Sequence, residues 1–269
     1  MILSSRIFPF IKRVFLALFI LFACLSLLQM TLMSFSSTLP RLNAEVGEFT
    51  FANYTAIWSN PQLRSAFGNS IAYVLINICA TVPVAIPAAY AFSRLSFVGD
   101  RHLFLVFIVF RITPPVVLTL PILQLFSQLG VVNSVFGIAL AHCLFNLLIS
   151  IWILQGFISA IPKEMNETAF LDGYLRPWVI LTFILPQISS SVTVTAFFYF
   201  IFSWVEAMFA RILITTNWKP ISMAINALFG FHTDIGLVMA VTTASMSPGA
   251  VLLFAMRNHL SCGFKIGRV

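Results

Sequence analysis

The residues best placed to do chemistry in this apolar chain lie near its middle. Glu167, Asp172 and Gly173 stand there between two long hydrophobic stretches. Nothing around them forms a catalytic set, because no Ser/His/Asp group, Cys/His pair or carboxylate pair stands where hydrolysis would need it. Charged, helix-forming residues outside an apolar span instead favour contact with another molecule. The spacing therefore predicts a docking element, and the open alternative is a solvated amphipathic loop.

The same segment predicts a short helix, a turn and a second helix. Pro162 suits the first helical position, and Glu164 is favourable in a first turn because the helix N-terminus carries partial positive charge. Ala169 allows close approach to a neighbour, and Gly173 can take the left-handed conformation that ends helices. Pro177 can open the next helix, which continues into an apolar stretch. We therefore expect force on the short helix to reach a membrane span.

Composition restricts the class of protein. Of 269 residues, 60% are hydrophobic and only 9% are charged, whereas soluble domains have about a quarter charged. The net charge of +7 fits the excess of cations at cytoplasmic helix ends better than it fits nucleic-acid binding, because no basic patch carries interleaved aromatics. The four cysteines share no metal or redox spacing, so we expect no metal site.

Six apolar stretches are about long enough to cross a membrane. They cover residues 14–33, 67–92, 103–126, 135–158, 179–204 and 235–256. Prolines inside them predict kinks: Pro83, Pro87, Pro114, Pro115, Pro121 and Pro248. The prediction is an all-α membrane protein. Residues 1–66 would hold a basic leader, the first span and an outer loop, and residues 67–269 a five-helix core with the charged loop (residues 159–186) and a short tail.

The distribution of cations predicts the orientation of these spans. With an inner N-terminus, ten lysines and arginines lie inside: Arg6, Lys12, Arg13, Arg94, Arg101, Lys163, Arg176, Arg257, Lys265 and Arg268. Four lie outside: Arg41, Arg64, Arg211 and Lys219. Both termini and the charged loop are therefore predicted to be cytoplasmic. The outer stretch of residues 206–234 reads as an interfacial or re-entrant segment.

Glu167-Thr168-Ala169, then Gly173, then Phe183-x-Leu185-Pro186 resembles the EAA loop of inner-membrane permeases in bacterial ABC importers. The family motif has Ala at the position of Thr168 and Ile at that of Phe183, and both departures keep the volume class. Residues 161–164 and 171–173 are similar to the carbohydrate branch, which includes the maltose permeases. Residues 141–146, 202–206 and 263–269 are most similar to permeases of glycerol and polyol importers.

The resemblance implies a type I ABC importer permease fold in the bacterial inner membrane, surrounded by lipid. The residues implied in coupling to an ATPase are Glu167, Ala169, Asp172, Gly173, Leu185 and Pro186. The implied partners are a second permease, two ATPase subunits that bind ATP and Mg²⁺, and a periplasmic binding protein. The implied solute is a sugar or polyol, with glycerol as the best match. Since the chain has no G-x-x-x-x-G-K-S/T phosphate loop, we expect no enzyme activity and no cofactor in it.

Polar residues within spans are candidates for the solute path, because charge inside a membrane is costly and usually paired or functional. The candidates are Arg111, Asn146, Tyr199, Trp204 and Glu206. An aromatic ring could stack on the apolar face of a polyol while Asn146 or Arg111 bonds its hydroxyls. The structural alternatives are that Arg111 pairs across the bundle and that Glu206 lies in the membrane interface.

A different class of protein, a stand-alone secondary transporter or channel for a small polar solute, is the rival hypothesis. Such a protein is expected to show an inverted repeat and a discontinuous helix with a carboxylate near the middle of the membrane. The sequence shows neither feature, because Glu206 falls near the outer end of its span.

Overall fold

The computed structural model describes residues 4–36, 48–229 and 234–266, with side chains described over 11–36, 48–229 and 234–257. This part of the chain is helical, apart from one antiparallel bridge between Ser36 and Phe49. The helices are α1 (Ser4–Ser34), α2 (Ala52–Ser59), α3 (Pro61–Arg94), α4 (Asp100–Ile112), α5 (Pro115–Gln128), α6 (Val135–Ser159), α7 (Glu164–Leu171), α8 (Arg176–Val179), a π-helix (Ile180–Ile184), α9 (Leu185–Gln187), α10 (Ser189–Val205), α11 (Met208–Leu213), α12 (Ile221–Leu228) and α13 (Ile235–Ile266).

Four stretches of helix are long and apolar enough to cross a membrane, and two bent helix pairs bring the number to six. The four are Ile11–Ser34, Pro61–Arg94, Val135–Ser159 and Ile235–Arg257. The all-α, six-span prediction is therefore confirmed. The third span, in which prolines predicted kinks, is bent by 102°, and the fifth span, for which no break was predicted, is bent by 83°.

The bend in the third span comes from consecutive prolines. A proline disfavours helical backbone in the residue before it, and both Thr113 (ψ 127°) and Pro114 (ψ 131°) leave the helical region. Pro115 then stands at the start of α5, where its missing N–H costs nothing. By contrast, α3, α5 and α13 continue as helices through single prolines at Pro83, Pro87, Pro121 and Pro248.

The bend in the fifth span lies just after Pro186. Because Pro186 has no N–H to donate, the preceding turn widens into a π-helix, in which the Leu185 N–H bonds the Ile180 carbonyl. The helix ends at Ile188 (φ −94°, ψ 9°), and α10 starts in a new direction. The apolar composition of this stretch gave no sign of the break.

The described chain divides into two compact units. The first, Met1–Arg64 with Ile225–Ser247, ties α2 to the end of α1: Tyr54 Oη and Ser34 Oγ are 2.7 Å apart, and Asn53 Nδ2 donates to the Ser34 carbonyl at 3.0 Å. Phe35 stacks on Phe49 beside these bonds, with ring centroids 5.2 Å apart. Of the cations counted for the orientation, Arg41, Arg268 and the side chains of Arg6 and Lys265 lie outside the described residues.

The second unit, Ser65–Ala224 with Pro248–Val269, has two apolar cores near opposite ends of α6. Twenty-five residues make α6 about 37 Å long. One core surrounds α7 with buried residues of α3, α6, α8 and the π-helix: Ala85, Tyr90, Leu154, Ile158, Ala169, Val179 and Ile184. The other surrounds α11: Tyr73, Phe126, Phe145, Phe209 and Leu213. Helix α11 is thus packed into this core, so this part of residues 206–234 is not a free loop.

Candidate functional site

The short helix α7 is the central element of the charged loop. It begins at Glu164, two residues later than the predicted start at Pro162. The reason lies in the first turn, where the amides of Asn166 and Glu167 bond the Lys163 carbonyl at 2.9 and 3.2 Å. Glu164 and Glu167 both stand in this first turn, where the helix dipole favours negative charge.

Gly173 ends α7 in the predicted left-handed conformation, with φ +86°. The Gly173 N–H bonds the Phe170 carbonyl at 3.0 Å, and the Tyr174 N–H bonds the Ala169 carbonyl at 3.1 Å. This pair of bonds is a Schellman motif, which satisfies carbonyls that a helix end would otherwise leave free. A Cβ added at Gly173 would meet no atom within 4 Å, so the glycine is needed for its backbone angle and not for space.

One face of α7 is buried and the other is exposed. Ala169, only 3% exposed, packs into the core around α7 with Asn166 beside it. Glu167, Asp172 and Gly173 are exposed, as are the apolar side chains of Phe170 and Leu171. An exposed apolar patch bordered by polar residues is typical of a surface that contacts a protein or a membrane.

The second half of the motif packs against the first. The ring of Tyr174 meets the ring of Phe183 edge to face, with centroids 5.2 Å apart. Gln187 Nε2 also contacts Met165 Sδ at 2.7 Å. Leu185 is half-buried and packs on the core around α7, whereas Pro186 is exposed and belongs to the backbone break. The six residues implied in coupling thus comprise a buried anchor, an exposed face and a bend.

A buried polar seam runs through the second unit, on facing sides of α3, α6 and α10. Its members are Asn77, Thr81, Cys143, Asn146, Ser150, Tyr199 and Ser203. Asn77 is its centre: its Nδ2 donates to Ser203 Oγ at 2.5 Å, and its Oδ1 accepts from Thr81 Oγ1 at 2.8 Å and from Cys143 Sγ at 3.5 Å.

Two of the predicted solute-path residues belong to this seam and hold unpartnered polar atoms. Asn146 Nδ2 and the Tyr199 hydroxyl are fully buried, and neither has a hydrogen-bond partner among the described residues. A buried polar group without a partner costs about 1–3 kcal/mol, so a hydroxyl or a water bonded to either atom would be stabilising.

The other three predicted path residues lie elsewhere. Arg111, beside the bend of the third span, places its guanidinium carbon 5.6 Å from the centroid of the Phe202 ring, and its Nε is buried without a described partner. Trp204 is buried and stacks on Phe200 with centroids 5.3 Å apart, so it packs within the unit. Glu206 directly follows the last residue of α10.

The side chain of Glu206 is buried and joins α10, α6 and α11. One carboxylate oxygen caps α11 by accepting from the backbone N–H groups of Met208 at 2.5 Å and Phe209 at 2.9 Å. The other lies 3.3 Å from His142 Nε2 on α6, and both side chains are less than 10% exposed. The Glu206 backbone carbonyl also accepts from Ser222 Oγ at 2.8 Å.

Sequence reasoning missed the residues that hold these features together. Asn77 and Thr81 are polar residues four apart within an apolar stretch, a spacing that places them on one helix face and could have identified the seam. Tyr90 and Asn166, which join α3 to α7, and Arg94, which bonds Ile161 just before α7, carry no comparable signal, because their contacts join residues more than sixty positions apart. In the described residues, no three His, Cys, Asp or Glu side chains are close enough to hold a metal ion.

Comparison with known proteins agrees with this architecture. The chain is 30% identical over 272 residues to the trehalose/maltose transport system permease protein MalG of Thermococcus litoralis, covering 98% of this chain and 96% of that one. It is 26% identical over 228 residues to the osmoprotective compounds uptake permease protein GgtD of Synechocystis, covering 84% of this chain and 76% of that one.

The fold is that of a solved importer subunit. A chain in the crystal structure of a bacterial ABC transporter involved in import of the acidic polysaccharide alginate matches with a TM-score of 0.77 and 18% identity, over 95% of this chain and 96% of that one. The sequence pattern of a family described as binding-protein-dependent transport system inner membrane component matches residues 81–265, well over half of the chain. The chain therefore belongs to the family of inner membrane components of binding-protein-dependent transport systems.

Proposed function

We propose that this chain is a transmembrane subunit of an ATP-driven importer of a sugar or polyol, with α7 as the helix that docks into the ATPase. The observation that carries the proposal is the construction of α7. Its back is anchored by Ala169, its end is fixed by Gly173, and it presents Glu167, Phe170 and Leu171 to a partner. A short helix held rigidly on one side and exposed on the other suits the transfer of force between two proteins.

The proposed assembly contains a second permease, two ATPase subunits and a periplasmic binding protein. The ATPase subunits would bind ATP and Mg²⁺, so this chain would need no cofactor and would not be an enzyme. The excess of cations on one side of the spans supports an orientation with both termini, and α7 with them, in the cytoplasm. In that orientation, closure of the ATPases would displace α7 and switch the path between outward-facing and inward-facing states.

The solute class is supported by the chemistry of the seam and by the named relatives. Trehalose, maltose and osmoprotective compounds appear in the names of the relatives compared above. Asn146 Nδ2 and the Tyr199 hydroxyl suit the hydroxyl groups of such solutes. Glycerol is the narrower proposal, and it rests only on the likeness of residues 141–146, 202–206 and 263–269 to polyol permeases.

Within the proposed path, the five predicted residues take different roles. Asn146 and Tyr199 would bond solute hydroxyls, and Arg111 would line the path beside the bend of the third span. Trp204 and Glu206 would hold the fold around it, because both are buried against protein neighbours.

The rival hypothesis, a secondary transporter or channel, gains one feature and lacks another. The third and fifth spans are discontinuous, as such transporters often require. No carboxylate stands at either bend, however: the residues there are Thr113 with two prolines, and Ile188. Family membership and the construction of α7 favour the ATP-driven mechanism.

Uptake by the reconstituted complex tests the proposal. Proteoliposomes that contain this permease, its partner permease and both ATPases are supplied with binding protein, internal ATP and a panel of labelled trehalose, maltose and glycerol. Accumulation of a panel member that requires ATP supports the importer, and glycerol accumulation supports the narrower proposal. Accumulation that persists without ATP and follows an ion gradient would favour the rival hypothesis.

A further inference from the structure

The last turn of α3 holds the entrance to α7. Arg94 Nη2 donates to the Ile161 carbonyl at 2.6 Å and to the Ile158 carbonyl at 3.0 Å. One residue earlier, Ser93 Oγ lies 3.0 Å from Ser159 Oγ. These bonds join the end of α3 to the end of α6 and to the start of the charged loop.

A second contact reaches α7 itself. Asn166 Nδ2, on the buried face of α7, donates to the Tyr90 hydroxyl at 3.3 Å. Tyr90 is 3% exposed and Asn166 is 5% exposed, so the bond is shielded from solvent. Tyr90 and Arg94 are four residues apart and therefore lie on the same face of α3.

The Arg94 guanidinium donates its hydrogen bonds to the backbone carbonyls of Ile158 and Ile161. The described residues place no carboxylate within salt-bridge distance of it. Its guanidinium instead meets the Ile158 carbonyl in the last turn of α6 and the Ile161 carbonyl just beyond that helix, where the helix dipole is negative. Hydrogen bonds of this charged kind are shorter and stronger than neutral ones.

Helix α7 is therefore connected to membrane-spanning helices in two ways, one along the chain and one through side-chain contacts. The chain route runs through α8, a π-helix and the 83° bend before it reaches α10. The other route runs through Tyr90 and Arg94 into α3, a single helix of 34 residues that is about 51 Å long. Helix α3 continues through Pro83 and Pro87 without a break, whereas the chain route crosses a π-helix and an 83° bend.

We propose that Tyr90 and Arg94 are positioning residues that hold the docking helix α7 and pass its displacement into α3. This inference rests on the proposed function, since it assigns to α3 a part of the conformational change that ATP hydrolysis would drive. Neither residue needs to touch solute or nucleotide. Both act through the position of α7.

The first test measures the position of α7 without requiring transport. Hydrogen exchange is followed in the complete complex in nanodiscs for wild type, Arg94→Gln, Arg94→Lys and Tyr90→Phe, with Arg101→Gln as the matched control on the exposed start of α4. We expect amides of α7 to exchange about tenfold faster in Arg94→Gln, to recover in Arg94→Lys, and to match wild type in the control. Exchange in α7 that does not change in Arg94→Gln and Tyr90→Phe would overturn the proposal.

The second test measures coupling in proteoliposomes that contain the same complexes. We expect Arg94→Gln and Tyr90→Phe to raise the number of ATP molecules hydrolysed per solute imported, with a normal amount of assembled complex, and Arg94→Lys to restore it. If uptake and hydrolysis instead fall together in proportion to assembled complex, the residues are only structural and the proposal fails. If wild type imports no solute with ATP, the proposed function fails, while the exchange experiment still decides whether Arg94 and Tyr90 position α7.

Discussion

Gly173 offers the sharpest test of how α7 is built. Its backbone angle predicts that any side chain is harmful there, whereas its open surroundings predict that the size of the side chain does not matter. At φ +86°, any residue with a Cβ pays the left-handed penalty, which is about 1–2 kcal/mol. A larger side chain should add little, because Gly173 is exposed and a Cβ there has no neighbour within 4 Å. Gly173→Ala and Gly173→Leu should therefore be equally harmful. Gly173→Asn should be milder, since asparagine tolerates this conformation.

The expected loss of hydrogen-exchange protection concerns the two hydrogen bonds at the C-terminal end of α7. A penalty of about 1–2 kcal/mol shifts the balance between a closed and a frayed helix end by roughly 5- to 30-fold. The amides of residue 173 and Tyr174, which donate those bonds, should lose hydrogen-exchange protection by that factor in the Ala and Leu variants. The assay is hydrogen exchange of the assembled complex in nanodiscs.

The matched control is Gly156→Ala, inside α6. A Cβ at Gly156 would also have no neighbour within 4 Å, and the residue has no positive φ, so alanine there should leave protection unchanged or slightly increased. The reasoning is refuted if Leu at residue 173 is much worse than Ala, or if Asn is as harmful as Ala. It is equally refuted if all three leave the exchange unchanged.

Three further predictions concern packing and the polar seam. Glu206→Ala should lower the free energy of unfolding by about 1–3 kcal/mol more than Glu206→Gln, which keeps an acceptor for the start of α11, and thermal unfolding of the complex measures this. Ala169→Leu should cost about 1–3 kcal/mol by overpacking, whereas Thr168→Leu on the exposed side should cost little. Tyr199→Phe removes a hydroxyl without a described partner, so thermal stability should stay constant or rise while the KM for uptake increases.

Each of these has a distinct contradicting result. Equal unfolding of Glu206→Ala and Glu206→Gln would show that the cap is not needed. Equal tolerance at residues 168 and 169 would mean that α7 is not anchored by its buried face. Loss of stability in Tyr199→Phe with unchanged KM would make the seam a packing feature and remove Tyr199 from the path.

The sequence predicted the features that depend on local chemistry. The lengths of the apolar stretches predicted six spans, and the tolerance of glycine for left-handed backbone predicted the end of α7 at Gly173. Both predictions depend only on residues that are adjacent in the sequence. The break at Ile188 escaped prediction, since single prolines elsewhere lie within continuous helices and Pro186 differs only in its surroundings. The contacts of Arg94 and of Glu206 with His142 also escaped, because they depend on how distant helices pack.

The measurement that tests the central claim most directly is ATP-driven uptake by the complete complex, with and without the combined Glu167→Arg and Gly173→Leu substitutions. Glu167 is exposed on α7 and Gly173 fixes its end, so neither substitution should prevent membrane insertion. The account predicts that wild type accumulates a sugar or polyol only with ATP, and that the variant reaches normal membrane levels but accumulates none. Uptake by the variant at the wild-type rate would contradict the claim that α7 couples this permease to its ATPase.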